Sequence, residues 1–240
     1  MASFSTLTLG TRKDTDWWRR GMKEKVGYAE RVWVKQPEPT MQQMKDVFGG
    51  RDDWLFFGGH FSGPFSQWLP WPYETEKRLY NDLDNDPEAA PSREVLTRKD
   101  NVLLRSKKAN GTWEEASLKK GVEFKQTGAN RVILWGGCNV CETQTLTMLR
   151  ELYDKPLIIG WKGITSKEII SKMLGGTGNN DATDPWSAVN FWTKLGGNAG
   201  NLAKVRDAWL AAANAIWPTE AAVRQKFSVI DPDGTPHELD

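Results

Sequence analysis

Hydrophobic and polar positions alternate with a period of two from Phe4 to Leu9 (FSTLTL) and stop at Gly10, which predicts a strand followed by a turn. From Asp16, the residues Trp18, Met22, Val26 and Ala29 recur at helical spacing, across two glycines, Gly21 and Gly27. Arg31 to Lys35 (RVWVK) is β-branched and aromatic and is closed by Pro37 and Pro39, a second strand. Thr40 then opens a capping box with Gln43, and Met41, Met44, Val47 and Phe48 line one face before Gly49 and Gly50 end the helix. Asp53 to Gly58 (DWLFFG) is continuously apolar, the pattern of a strand covered on both faces, and it runs into Gly59-His60.

The pattern breaks at 63–100, where five prolines and the acidic run NDLDND at 81–86 indicate a long surface insertion, with a helical turn around Glu74–Asp82. Val102–Leu104 and Thr112–Leu118 flank Asn110-Gly111 and read as a β-hairpin within an insertion spanning 63–130. Regular alternation resumes with Val132–Trp135 (VILW), followed by Gly136-Gly137-Cys138. A helix over about Asn139–Tyr153 and a third buried strand, Leu157–Trp161, come next. Thr165-x-x-Glu168 is a second capping box, opening a helix with Ile169, Ile170, Met173 and Leu174. Asp184-Pro185 is read as the start of a helix with Val189, Trp192 and Leu195 as its stripe. A further helix covers about Asn201–Trp217, a short one follows within Thr219–Phe227, and 228–240 is expected to be a loose tail carrying a solvated His237. Strands separated by helices imply a largely parallel sheet with helices on both faces, an α/β domain spanning 1–240.

Composition narrows the function classes. The charge sum of 32 Lys+Arg against 31 Asp+Glu leaves +1, which gives no electrostatic reason for nucleic acid or an anionic membrane as a partner. No apolar run reaches the ~20 residues of a membrane span. The opening MASFSTLTLGTRKDTDWW lacks the basic-then-apolar order of a secretory signal, so a cytoplasmic protein is expected and the Asn110-Gly111-Thr112 acceptor triplet is discounted. Two cysteines exclude a multi-bridge extracellular scaffold. Thirteen tryptophans are read mainly as core filler, with a sugar-binding strip as the alternative.

In parallel sheets, ligands sit at the carboxyl ends of strands. That rule selects the residues after DWLFFG, where His60 stands, and those after VILW, where Cys138 stands. If the two strands are neighbours, imidazole and thiol share one edge, and the imidazole can take the thiol's proton. Cys138 also precedes a helix, whose amino end favours a thiolate and offers N–H groups to an oxyanion.

These residues resemble a family. PTMQQMKDVFGGRDDWLFFGGH is similar to the helix–strand–His segment of caspase-like peptidases, especially the CHAT (caspase-HetF-associated) branch. VILWGGCNVCETQTLTMLRELYDKPLIIGWKG is similar to its strand–Cys–helix–strand segment, and DPWSAVNFWTKLGGNAGNLAKVRDAWLAAANAI to the helices that follow. The resemblance implies a caspase-like three-layer sandwich and a cysteine endopeptidase without a cofactor. It implies His60 as base and acid, Cys138 as nucleophile, and the backbone N–H groups of Cys138 and Phe61 as the oxyanion hole. It also implies a protein or peptide substrate and a regulatory protein partner. Two positions depart from the family: Phe61 replaces the glycine that usually follows the His, and Gly136 replaces the acidic residue found two places before the Cys in Arg/Lys-specific relatives. Gly136, Gly137 and Trp161 are therefore expected to line a pocket for an apolar or small residue.

Other readings stay open. Cys138-Asn-Val-Cys141 is the C-x-x-C of a thiol–disulfide oxidoreductase. An inactive caspase-like module that binds partners through its insertion is the non-enzymatic reading. Zinc lacks a second C-x-x-C, the glycines at 176 and 178 follow a helix rather than a strand, and the usual hydrolase, metalloprotease and P-loop motifs do not occur.

Overall fold

The computed structural model describes residues 1–9, 14–36, 40–50, 52–58, 93–98, 101–107, 112–119, 132–136, 141, 150, 153–163, 167–175 and 190–239. Among these, β1 (Ser3–Leu9), α1 (Asp14–Gly21), β2 (Ala29–Gln36), α2 (Met41–Phe48) and β3 (Trp54–Gly58) form the first half. A π-helical turn, Met22–Val26, extends α1 and ends at Gly27, whose φ of 74° is the left-handed conformation glycine adopts freely. Three strands follow: β4 (Arg93–Arg98), β5 (Asn101–Lys107) and β6 (Trp113–Lys119). The second half comprises β7 (Val132–Trp135), β8 (Leu157–Trp161), α3 (Lys167–Met173), α4 (Phe191–Leu195), α5 (Leu202–Ile216), α6 (Ala221–Arg224), β9 (Phe227–Ile230) and β10 (Pro236–Glu238).

The main sheet has the order β10-β9-β8-β7-β3-β1-β2. Its strands from β2 to β8 run parallel, while β9 and β10 pair antiparallel at one edge. The chain is thus an α/β domain built on a mostly parallel sheet.

The pleat sorts the two faces. Phe4, Trp54, Phe56, Val132, Leu134, Leu157, Ile159 and Trp161 join the large core under α1, α3, α4 and α5. Trp18 of α1 packs at its centre, 5.2–5.5 Å from the rings of Phe56, Trp192 and Trp54. Eight of the thirteen tryptophans are buried among the described residues, the core-filling role. On the other face Leu7, Leu55, Phe57, Ile133 and Trp135 are buried, and Phe48 of α2 packs against Phe57 and Trp135. The expected capping box starts α2: Gln43 N–H donates to Thr40 Oγ1 and Thr40 N–H to Gln43 Oε1.

At the amino ends of the strands, Asp52 is fully buried and accepts from the Arg31 guanidinium and from the Ser3 hydroxyl. Arg31 is the extra residue of a β-bulge: Phe4 pairs with Glu30 but Ser5 with Val32.

Several expectations are corrected. The 228–240 tail is not loose, because Phe227–Ile230 is an antiparallel partner of β8 and Pro236–Glu238 pairs back onto it. The run FSVI takes its place between β8, far away in sequence, and β10. The helix read from Asp184-Pro185 through Leu195 does not run unbroken: Asn190 is extended (φ −79°, ψ 167°) and its side chain caps α4 by accepting from Thr193 N–H. The predicted hairpin is present as β5–β6, and β4 joins it to make a three-stranded sheet beside α2. The helical turn at 74–82, the 165–168 capping box as a whole and most of the 139–153 helix lie outside the described residues.

Candidate functional site

Sheet topology decides where a ligand can meet this fold. The step from β1 to β2 goes one way along the sheet and the step from β2 to β3 the other, so the order reverses beside β1 and β3. β3 in turn pairs with β7 in parallel register, Trp54 to Val132 through Phe57 to Trp135. The two strand ends selected from the sequence are therefore neighbours that point the same way.

Past the last paired residues the chain stays attached. Gly136 N–H donates to the Phe57 carbonyl at 2.6 Å, which extends the β3–β7 ladder by one bond. Gly136 is buried, and a Cβ there would stand 3.1 Å from the Phe57 oxygen and 3.3 Å from Ile170 Cδ1. Glycine is what lets β7 end this close to β3 and α3.

Five residues later, Cys141 N–H donates to the Trp161 carbonyl at 3.0 Å, at the end of β8. Its thiol is buried, with Sγ 3.7 Å from the Ser228 carbonyl of β9. The chain after β7 is thus tied to the end of β3 on one side and the end of β8 on the other.

The expected site residues fall into two groups. His60, Phe61, Gly137 and Cys138 lie outside the described residues. Gly136 and Trp161 are described, and as pocket walls both are corrections. Trp161 has no exposed surface; its indole packs edge-on against Phe227 and Trp209. The pleat assigns it to the core face with Leu157 and Ile159. Gly136 is enclosed by Phe57, Gly58 and Ile170.

His237 is also corrected from a solvated residue. Its Nε2 is 2.9 Å from Asp231 Oδ2, which Arg206 of α5 approaches to 2.6 Å. Nearby, Asp233 is held below the usual carboxylate range, first by hydrogen bonds from Thr235 and then by the charges of Arg150 and His237. Arg150 donates to the Pro232 carbonyl at 2.8 Å in the same turn. The sequence reading passed over Arg150 and placed Ile170 only in a helical stripe. Ile170 carried a signal in its helical stripe, whereas Arg150 had none, because its partner is remote along the chain.

Comparison with protein-family models, with curated proteins and with solved structures returns no match to this chain. No group of three or more His, Cys, Asp and Glu side chains suited to a metal ion occurs among the described residues. Within the same residues no helix is long and apolar enough to cross a membrane.

Proposed function

We propose that this chain is a caspase-like, CHAT-related cysteine endopeptidase, with Cys138 as nucleophile and His60 as base and acid. The parallel pairing of β3 with β7, extended by the Gly136–Phe57 bond, is the observation that supports it. His60 follows β3 by two residues and Cys138 follows β7 by three, a chain reach of at most about 7 and 11 Å from two neighbouring ends. In this reading His60 takes the thiol proton and the thiolate attacks the scissile carbonyl carbon. The N–H groups of Cys138 and Phe61 bind the oxyanion. The tetrahedral adduct then collapses, the C–N bond breaks, and His60 gives its proton to the departing amine. Water, deprotonated by the same imidazole, cleaves the thioester and restores the thiol.

The substrate is a protein or peptide, and a separate protein partner regulates cleavage. A reducing compartment such as the cytoplasm keeps both thiols available. With Trp161 and Gly136 buried, selection at the residue before the scissile bond falls to other side chains.

Iodoacetamide labelling at neutral pH, read by mass spectrometry, tests the reading on wild type and His60→Ala. Fast alkylation of Cys138 that the variant loses is the expected result. Equal, slow labelling of both cysteines would favour the inactive binding module. A Cys138–Cys141 bridge formed on mild oxidation would favour the thiol–disulfide oxidoreductase.

A further inference from the structure

Two contacts tie the C-terminal hairpin to the chain that follows β7. At one, Cys141 Sγ lies against the Ser228 carbonyl of β9. At the other, Arg150 donates to Pro232 in the β9–β10 turn, while its own carbonyl accepts from Lys155 N–H at 2.8 Å. Its Nε is buried without a hydrogen-bond partner, while the charge of the guanidinium acts on Asp233 in the same turn. The turn is shaped around the guanidinium. Gly234 has φ +100°, and a Cβ there would stand 2.4 Å from Arg150 Nη1. The hairpin is fixed on its other sides by Arg206 on Asp231 and by a Lys162–Glu238 ion pair.

We propose that Arg150 is a positioning residue through which the C-terminal hairpin sets the reactivity of Cys138. The proposal rests on Cys138 being the nucleophile. Arg150 stands twelve residues after Cys138. With Cys141 it gives the intervening chain two anchors on one hairpin. A nucleophile displaced by a fraction of an ångström from its base and its oxyanion donors loses rate steeply. A protein that engages the hairpin turn, where Asp233 and Thr235 are exposed, would act on the thiol through this contact.

The test compares full-length wild type, Arg150→Ala, Arg150→Lys and Gly234→Ala. For each, the iodoacetamide rate of Cys138 is measured by mass spectrometry from pH 5 to 9, with near-ultraviolet circular dichroism as the fold control. The alanine variant at 150 is expected to react about tenfold more slowly at neutral pH, with the midpoint of its pH profile moved upward. Lysine, which can still donate to Pro232, is expected to restore most of the rate. Gly234→Ala displaces the guanidinium without removing it and should slow the reaction in the same direction, so it carries the test if Arg150→Ala does not fold. A folded Arg150→Ala or Gly234→Ala with the wild-type rate and midpoint overturns the hairpin's role. Wild-type labelling that does not depend on His60 instead overturns the underlying assignment of Cys138, so the two failures are told apart.

Discussion

The backbone N–H of Gly136 reaches the carbonyl of Phe57 across 2.6 Å, one residue beyond the last strand pair that joins β3 to β7. This bond holds the ends of β3 and β7 side by side. Replacing Gly136 with alanine pushes a methyl against the Phe57 oxygen and Ile170. The expected cost is about 1–3 kcal/mol, seen as a lower urea midpoint. An unchanged midpoint would mean that the two strands do not approach this closely.

Asp52 is the buried acceptor of the Arg31 guanidinium and the Ser3 hydroxyl, joining the beginnings of β1, β2 and β3. Asp52→Ala leaves the Arg31 guanidinium to solvent and the Asp46 carbonyl and removes three elements' common partner. Chemical denaturation should report a loss of about 3 kcal/mol or more. Arg31→Ala should be comparably harmful, because it leaves a carboxylate in the interior without its cation. A double variant much less damaging than the sum of the two would show that they act as one pair.

Glu30 ties β2 to the α1 region through Arg19 and Lys23. Burial alone would raise its pKa, but hydrogen bonds and charge from these two cations outweigh burial and hold it below the ordinary 4.5. The folded state thus binds this proton less readily than the unfolded chain. The contribution is full above about pH 4.5 and is lost as pH falls through the lowered value. Thermal melts between pH 7 and 3 should show a steeper acid decline for wild type than for Glu30→Gln. Parallel curves would show that the carboxylate is not linked to folding.

Gly21 lies directly under an indole: a Cβ there would be 2.0 Å from the ring of Trp192. Trp192 is itself held by its Nε1–H, which donates to the Leu174 carbonyl at 3.1 Å. Gly21→Ala must therefore push α1 away from α4 or expel the indole. A loss of at least about 3 kcal/mol is expected, together with a change in tryptophan fluorescence in the native state. A stable protein with the native emission spectrum would contradict this packing.

Where local chemistry decides an element, the sequence was sufficient. Thr40 and Gln43 specify both bonds of their capping box, and the apolar runs at 54–58, 132–135 and 157–161 are all strands buried on both sides. Asn201 and Trp217, expected as the limits of a helix, are the caps of α5. Where a distant partner decides, it was not. Phe227–Ile230 is a strand because β8 offers it an edge, and His237 is engaged because Arg206 and Asp231 come together around it. Asn190 caps α4, a role the sequence did not single out for it. At the candidate site the strand-end rule identified two ends that prove adjacent. It could not separate a pocket wall from a core position, because Trp161 reads alike for both until the pleat assigns its face.

The bulge at Arg31 has a consequence for life in a crowded solution. One outermost strand of the main sheet carries that irregularity, and the other, β10, is three residues long and begins with Pro236, which has no hydrogen to donate. Among the described residues, the bulged start of one border and the short, proline-led other border lack a regular row of donors and acceptors. Those irregular stretches make poor templates for stacking copies of this chain into fibres.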